Sequence, residues 1–191
     1  SFASRGRVDV YNRQLTNLAI LYNHQARYAA AEPLLKRALA IRKKSHGPDH
    51  PSVARALNNL ALLLTKQGKY GEAEPLFREA LEPRRACLPA DHPSTAISIN
   101  NLAGLLDRAG RLRDAEPLYR EALAGQEATL GKDHEDPLNT AGNLGCVLQS
   151  LKKPKEALPL HRRAVAGCKA RPIAGTTIGS IGRFLRPSTS V

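Results

Sequence analysis

Four asparagines, Asn17, Asn59, Asn101 and Asn143, stand 42 residues apart along this 191-residue chain. A carboxamide side chain offers N–H donors and a carbonyl acceptor, so a row of them can grip the backbone of an extended peptide whatever its sequence. Around Asn59 the residues Arg55, Leu62 and Lys66 complete one stripe, which at 100° per residue lies opposite an apolar stripe of Leu57, Leu60, Ala61 and Leu64. The corresponding stripes are Arg13, Asn17, Ile20 and His24; Ile97, Asn101, Gly104 and Arg108; and Asn139, Asn143, Cys146 and Ser150. Arg13, Arg55, Lys66 and Arg108 would attract acidic side chains. With the neighbouring Asn58 and Asn100, the candidate peptide-binding set is Arg13, Asn17, His24, Arg55, Asn58, Asn59, Lys66, Asn100, Asn101, Arg108 and Asn143. The same asparagines could instead bond neighbouring helices, with the bases only keeping that face wet.

Other chemistry finds less support. His50, His92 and His134 recur at the same step, but equivalent positions on stacked helices lie about 10 Å apart, whereas zinc requires its nitrogens about 2.0–2.1 Å from one ion. Gly175, Gly179 and Gly182 have neither the spacing nor the strand context of a phosphate loop, and His134, Glu135 and Asp136 do not make an HExxH site. Cys146 has no base at evident range and is read as a structural thiol. The expectation is no catalytic residue, no metal, no cofactor and no enzyme activity within these residues.

The elements that position the stripes come from a repeat. NNLALLLTKQGKYGEAEPLFREAL at Asn58 to Leu81 returns as NNLAGLLDRAGRLRDAEPLYREAL at Asn100 to Leu123, with looser copies on either side. A period of this length without strand signals means stacked helical hairpins, each burying its apolar face against its neighbours. The second helix of the pair carries Ala73, Leu76, Phe77, Ala80 and Leu81 at helical spacing. Gly68 and Gly110 fall where a left-handed residue ends the first helix; Ala26 and Lys152 replace them in the outer copies, predicting weaker outer repeats. Small residues recur at Ala31, Ala73, Ala115 and Ala157 and at Ala38, Ala80, Ala122 and Ala164, allowing close helix approach. Pro33, Pro75, Pro117 and Pro159 fall near second-helix starts, while Pro83 is expected to kink or shorten its helix. Asp49, Asp91 and Asp133 are the expected N-caps of the first helices, within one or two residues. The predicted repeats are about 8–49, 50–91, 92–133 and 134–169, followed by a basic disordered tail, 170–191, rich in Gly, Ser, Thr and Arg.

Aromatics form 4% of the chain and Trp is absent, so small and aliphatic residues must do the packing. The net charge of +12 resembles a nucleic-acid signature until it is divided along the chain. Arg162, Arg163, Lys169, Arg171, Arg183 and Arg186 supply half of it with no acid among them, leaving the array only mildly basic. Only Phe184 in that tail could stack on a base, so a nucleic-acid partner is unexpected. Three cysteines without metal or redox spacing favour reduced thiols and a cytoplasmic location. No apolar run is long enough to span a bilayer, so no membrane partner is expected. The absence of Met leads to the expectation that the sequence is a piece of a longer protein.

Leu60, Ala61, Leu64, Gly68, Tyr70, Ala73, Phe77 and Ala80 together resemble the helix-turn-helix of the tetratricopeptide repeat, stretched from the usual 34 residues. The 42-residue form with LNNLA, GKYGEAEPL and GPDHP resembles the repeats of kinesin light chains over residues 8 to 169, and nephrocystin-3-like and nucleotide-binding signalling proteins are similar there too. The resemblance implies an all-α, right-handed superhelical solenoid of four repeats whose first helices line a concave groove. By the same resemblance the chain is an interaction scaffold or adaptor holding an extended, acidic peptide, with kinesin heavy chain as a partner if it is a true light chain. The sustained heptads of a heavy-chain-binding coiled coil are not present. The alternative is a sensor or scaffold segment of a larger signalling protein whose catalytic domain lies elsewhere.

Overall fold

The computed structural model describes residues 2–87 and 92–169. The expected N-cap Asp91 and the expected tail 170–191 lie outside the described residues, as do the side chains of Cys87 and Cys168. Eight helices form four pairs: α1 (Phe2–His24) with α2 (Tyr28–His46), α3 (Pro51–Lys66) with α4 (Tyr70–Cys87), α5 (Pro93–Arg108) with α6 (Leu112–Leu130), and α7 (Glu135–Ser150) with α8 (Pro154–Lys169). Each helix packs on the next, and in addition α3 reaches α5 and α5 reaches α7. First helices therefore approach one another more closely than second helices do, and the stack bends towards the first-helix side.

The expected stripes become the core. Leu57, Leu60, Ala61, Leu64, Ala73, Phe77, Ala80 and Leu81 are all buried. The corresponding face of α1 is covered only in part: Leu15 and Ala19 are buried, but Leu18 is exposed and Leu21 is 59% exposed where its counterpart Leu63 is 0%, because no helix among the described residues packs on that side. Burial here is a property of the stack, each repeat completing the core of the next.

Each turn within a pair closes in one way. The N–H three residues beyond the first helix's last residue donates to a carbonyl five residues back: Arg27 to Tyr22 (2.8 Å), Lys69 to Leu64, Arg111 to Leu106 and Lys153 to Leu148 (each 2.9 Å). The residue between must turn left-handed, and Gly68 and Gly110 do so at φ 78°, as their type predicts. Ala26 (φ 57°) and Lys152 (φ 60°) adopt the same conformation with a Cβ to accommodate. That strain exceeds the extra unfolded-state freedom a glycine introduces, so Ala26→Gly and Lys152→Gly are each expected to stabilise the array by about 0.5–1 kcal/mol. Chemical denaturation of the two variants checks this, and an unchanged or lower midpoint for both would show the strain to be absent.

The first helices are capped by histidine, one residue later than expected. His50, His92 and His134 have extended ψ, and their side chains accept from the N–H of Ser52, Ser94 and Asp136, each at 3.2 Å through Nδ1. Asp49 and Asp133 precede the caps rather than supplying them. The recurrence of histidine thus satisfies otherwise orphaned donors at three helix starts.

The prolines also depart from expectation. Pro83 neither ends α4 nor shortens it appreciably, since the helix runs on to Cys87. Pro33, Pro75, Pro117 and Pro159, expected near the starts of the second helices, are each the sixth residue of their helix. At that depth each removes one intrahelical hydrogen bond, a loss the buried second-helix faces tolerate.

Ion pairs tie neighbouring pairs together in a repeating triad. Glu32 binds Lys36 within its own helix (2.6 Å) and Lys69 at the next turn (2.9 Å). Glu74 binds Arg78 and Arg111, each at 2.7 Å. Glu116 binds Arg120 (3.0 Å) and Lys153 (2.8 Å). Nothing in the opening pattern of asparagines and histidines pointed to these carboxylates, although their 42-residue step was visible.

Candidate peptide-binding groove

The polar stripes lie on the inner side of the bend. Arg13, Asn17 and His24 are exposed on α1, as are Arg55 and Lys66 on α3, Arg108 on α5 and Asn143 on α7, while Asn59 and Asn101 are half-buried. No side-chain hydrogen bond among the described residues occupies Asn17, Asn59, Asn101 or Asn143.

The neighbouring asparagines do something else. Asn58 is only 7% exposed and donates through Nδ2 to Ser98 Oγ on α5 at 3.2 Å. Asn100 accepts at Oδ1 from Thr140 Oγ1 on α7 at 3.1 Å. These two belong to a seam joining first helices of successive pairs, which corrects their placement in the groove. One step of 100° around the helix separates a groove residue from a seam residue. Lys66 stays on the groove side, where Nζ donates to Asn23 Oδ1 of α1 at 3.0 Å.

Charge along the first helices is graded. Arg7 and Arg13 outnumber Asp9 on α1, and α3 carries Arg55 and Lys66 with no acid. Asp107 and Arg108 balance on α5, whereas α7 has Glu135 and Asp136 with no base. The first helices are therefore basic at the α1–α3 end of the stack and acidic where α7 begins.

Sequence reasoning missed the cleft at that basic end. A cavity of about 590 Å³ opens between α1, the end of α2 and α3, lined among others by Arg13, Asn17, Arg55 and Asn59. It also reaches two buried side chains, Asn12 and Arg42. The available signal was a lone base on the apolar face of α2, three residues after the buried Leu39 and four after Ala38. Burial holds the Arg42 guanidinium below its usual range, Arg55 lowers it further, and Asp9 partly offsets both.

Among the described residues no cluster of His, Cys, Asp and Glu could hold a metal ion, and no helix is long and apolar enough to cross a membrane.

The tetratricopeptide repeat model matches residues 11–86 and 94–170. No curated protein matches this sequence. A crystal structure from Podosopora anserina, of a protein described as a kinesin light chain with nearly identical TPR-like repeats, is similar at 26% identity and a TM-score of 0.75, over 84% of this chain and 77% of that one. BtubC (BKLC) from P. vanneervenii shares the fold with a TM-score of 0.76 at 24% identity, over 90% of this chain and 70% of that one.

Proposed function

Because this chain belongs to the tetratricopeptide repeat family, with repeats of the kinesin light chain type, we propose that it is an adaptor holding an extended acidic peptide along α1, α3, α5 and α7. The fold is a protein-interaction scaffold. The observation that carries the peptide reading is the row Asn17, Asn59, Asn101 and Asn143 on the first helices, with no side-chain hydrogen bond among the described residues. Peptide backbone supplies an N–H and a C=O at every residue, the complement of a carboxamide ladder. The graded charge supports an acidic ligand whose negative segment lies over α1 and α3, near Arg13, Arg55 and Lys66.

Hydrogen bonds and charge separate in the test. Replacing Asn59 and Asn101 by Ala is expected to weaken a library-selected acidic peptide by about 1 kcal/mol per site at any salt concentration. Reversing Lys66 and Arg108 to Glu is expected to slow association, with the larger effect at low salt, where charges reach further. Calorimetric titration at two ionic strengths and a melt of each variant give the answer. Asparagine variants that bind normally but melt several degrees lower would make the ladder structural and remove the reading.

A further inference from the structure

The cleft between α1, α2 and α3 contains more polar machinery than a peptide backbone requires, and an internal comparison shows why. Arg42 and Arg84 occupy equivalent positions on α2 and α4, 42 residues apart. Arg84 turns to the following first helix, where its Nη1 donates to the Ser94 carbonyl oxygen at 3.0 Å and to Ser98 Oγ. The residue corresponding to Ser98 beside Arg42 is Ala56, which has no acceptor. Arg42 turns instead to α1, where Nη2 donates to Thr16 Oγ1 at 3.1 Å, and the Thr16 hydroxyl in turn donates to the Asn12 carbonyl oxygen at 2.9 Å. Although only 8% exposed, Arg42 forms no ion pair among the described residues.

A buried cation without a carboxylate is costly, and Asn12 adds a second anomaly. It is 2% exposed, lines the same cleft, and neither its Nδ2 nor its Oδ1 has a hydrogen-bond partner among the described residues. Orphaned groups of this kind lose their full hydration energy unless a ligand or water answers them. Arg13 and Arg55 bring two further guanidinium groups to the cleft wall, against the single acid Asp9. With His46 neutral the formal charge of the lining is +2, the complement of a dianion.

We propose that this cleft is a binding site for a phosphoryl dianion, with Arg42 as its buried anchor, Arg13 and Arg55 as flanking guanidinium groups and Asn12 Nδ2 as a further donor. A phosphate oxygen accepts from guanidinium forks as a carboxylate does, but a phosphate monoester carries nearly two charges near neutral pH. That charge matches the lining, whereas a single carboxylate leaves half of it unanswered. The carrier of the group rests on the groove reading: a phosphorylated side chain of the bound peptide, at the basic end of the inner face. Free phosphate offers the same chemistry, and the two sources separate experimentally.

The whole chain, isotopically labelled, is titrated at pH 7.5 and constant ionic strength with inorganic phosphate, with a capped Gly-phosphoserine-Gly peptide, and with its glutamate counterpart. Phosphate and phosphopeptide are expected to shift the Asn12 side-chain amide and the Arg42 Nε–H signals saturably, with the phosphopeptide binding at least tenfold tighter than the glutamate peptide. Arg42→Gln is expected to weaken binding tenfold or more. Since that change touches a buried site, two further variants guard the result. Arg55→Gln, at an exposed position, is expected to lower affinity several-fold with an unchanged melt. Ala56→Ser restores the acceptor that Arg84 enjoys and is expected to draw Arg42 towards α3, weakening phosphate without weakening the fold. Chloride reproducing the shifts, equal binding of the glutamate peptide, or full binding by Arg55→Gln and Ala56→Ser would overturn the assignment. Phosphate saturating the site while the phosphopeptide does not would uphold the cleft and remove the peptide as its carrier, a failure of the groove reading alone.

Discussion

Phe77→Ala is expected to destabilise the array by about 3–5 kcal/mol, the range for removing a fully buried phenyl ring. Phe77 is 0% exposed and lies in the second pair, with packed neighbours on both sides. Its counterparts are Leu35, Tyr119 and His161, so the second and third pairs hold the large rings and the first pair holds a smaller aliphatic residue. In a stack where each repeat contacts only its neighbours, stability is a sum of repeat and interface contributions. A cavity in an inner repeat weakens its own hairpin and the interfaces before and after it. The transition should therefore broaden as well as shift, since the two halves unfold less together. Leu35→Ala, in an outer repeat, should cost less and leave the slope nearly intact. Urea denaturation followed by circular dichroism reads both quantities. A loss below about 1.5 kcal/mol for Phe77→Ala with an unchanged slope would mean the site collapses around the deletion and the ring is not a keystone.

The parts of this fold that could be read from residue types are those in which type and backbone conformation are tightly coupled. Gly68 and Gly110 announce positive φ because other residues resist it, and the same logic located strain at Ala26 and Lys152. Alternation of Leu and Ala with helical spacing similarly reports a buried face. Histidine capping was not legible by the same route: Asp49 and His50 both present side-chain acceptors, and only the extended ψ of His50 decides which of them begins the helix. Asn58 and Asn59 pose the same difficulty on a helix surface. They are 100° apart, and the placement of the next first helix, not either residue's chemistry, assigns one to the seam and the other to the groove.

Compensation between positions was equally hidden. Gly104 stands where α3 has Leu62, and a Cβ there would lie 3.4 Å from the Tyr119 hydroxyl. Gly145 replaces the alanine found at 19, 61 and 103, and a Cβ there would come within 2.8 Å of the His161 ring. Each glycine makes room for a polar ring where the second pair has Phe77. A single sequence shows both exchanges as erosion of the repeat, and only the packed helices show them as matched.

Acidification below about pH 4.5 is expected to remove about 3 kcal/mol that resides in the three carboxylate triads. Hydrogen bonds from Lys36 and Lys69 bring Glu32 down to about 2. Arg78, then Arg111, lowers Glu74, and Lys153, then Arg120, lowers Glu116. A carboxylate depressed in the folded state binds its proton less readily there than in the unfolded chain. Its contribution is complete above the unfolded value of about 4.3 and disappears as pH falls through the folded one. For Glu32 the window thus runs from about pH 4.5 down to about 2, for Glu74 and Glu116 it extends downward from the same upper end, and stability falls with falling pH across it. Full Coulomb energies do not apply, because the bases that clamp these acids are 41–57% exposed. About 1 kcal/mol per triad is the appropriate scale. Position makes these triads count, since each joins one pair of helices to the next: Glu32 to Lys69, Glu74 to Arg111 and Glu116 to Lys153. Glu74→Gln together with Glu116→Gln should lower stability at pH 7 by about 2 kcal/mol and remove the corresponding part of the acid loss. The difference between wild type and variant should therefore shrink towards zero as pH falls through the lowered range of Glu74 and Glu116. High salt should shrink it as well, by screening the exposed bases. Melting curves of the two proteins across this range make the comparison, and a difference that stays constant from pH 7 to pH 2 would assign the effect to side-chain packing and leave the triads without an electrostatic role.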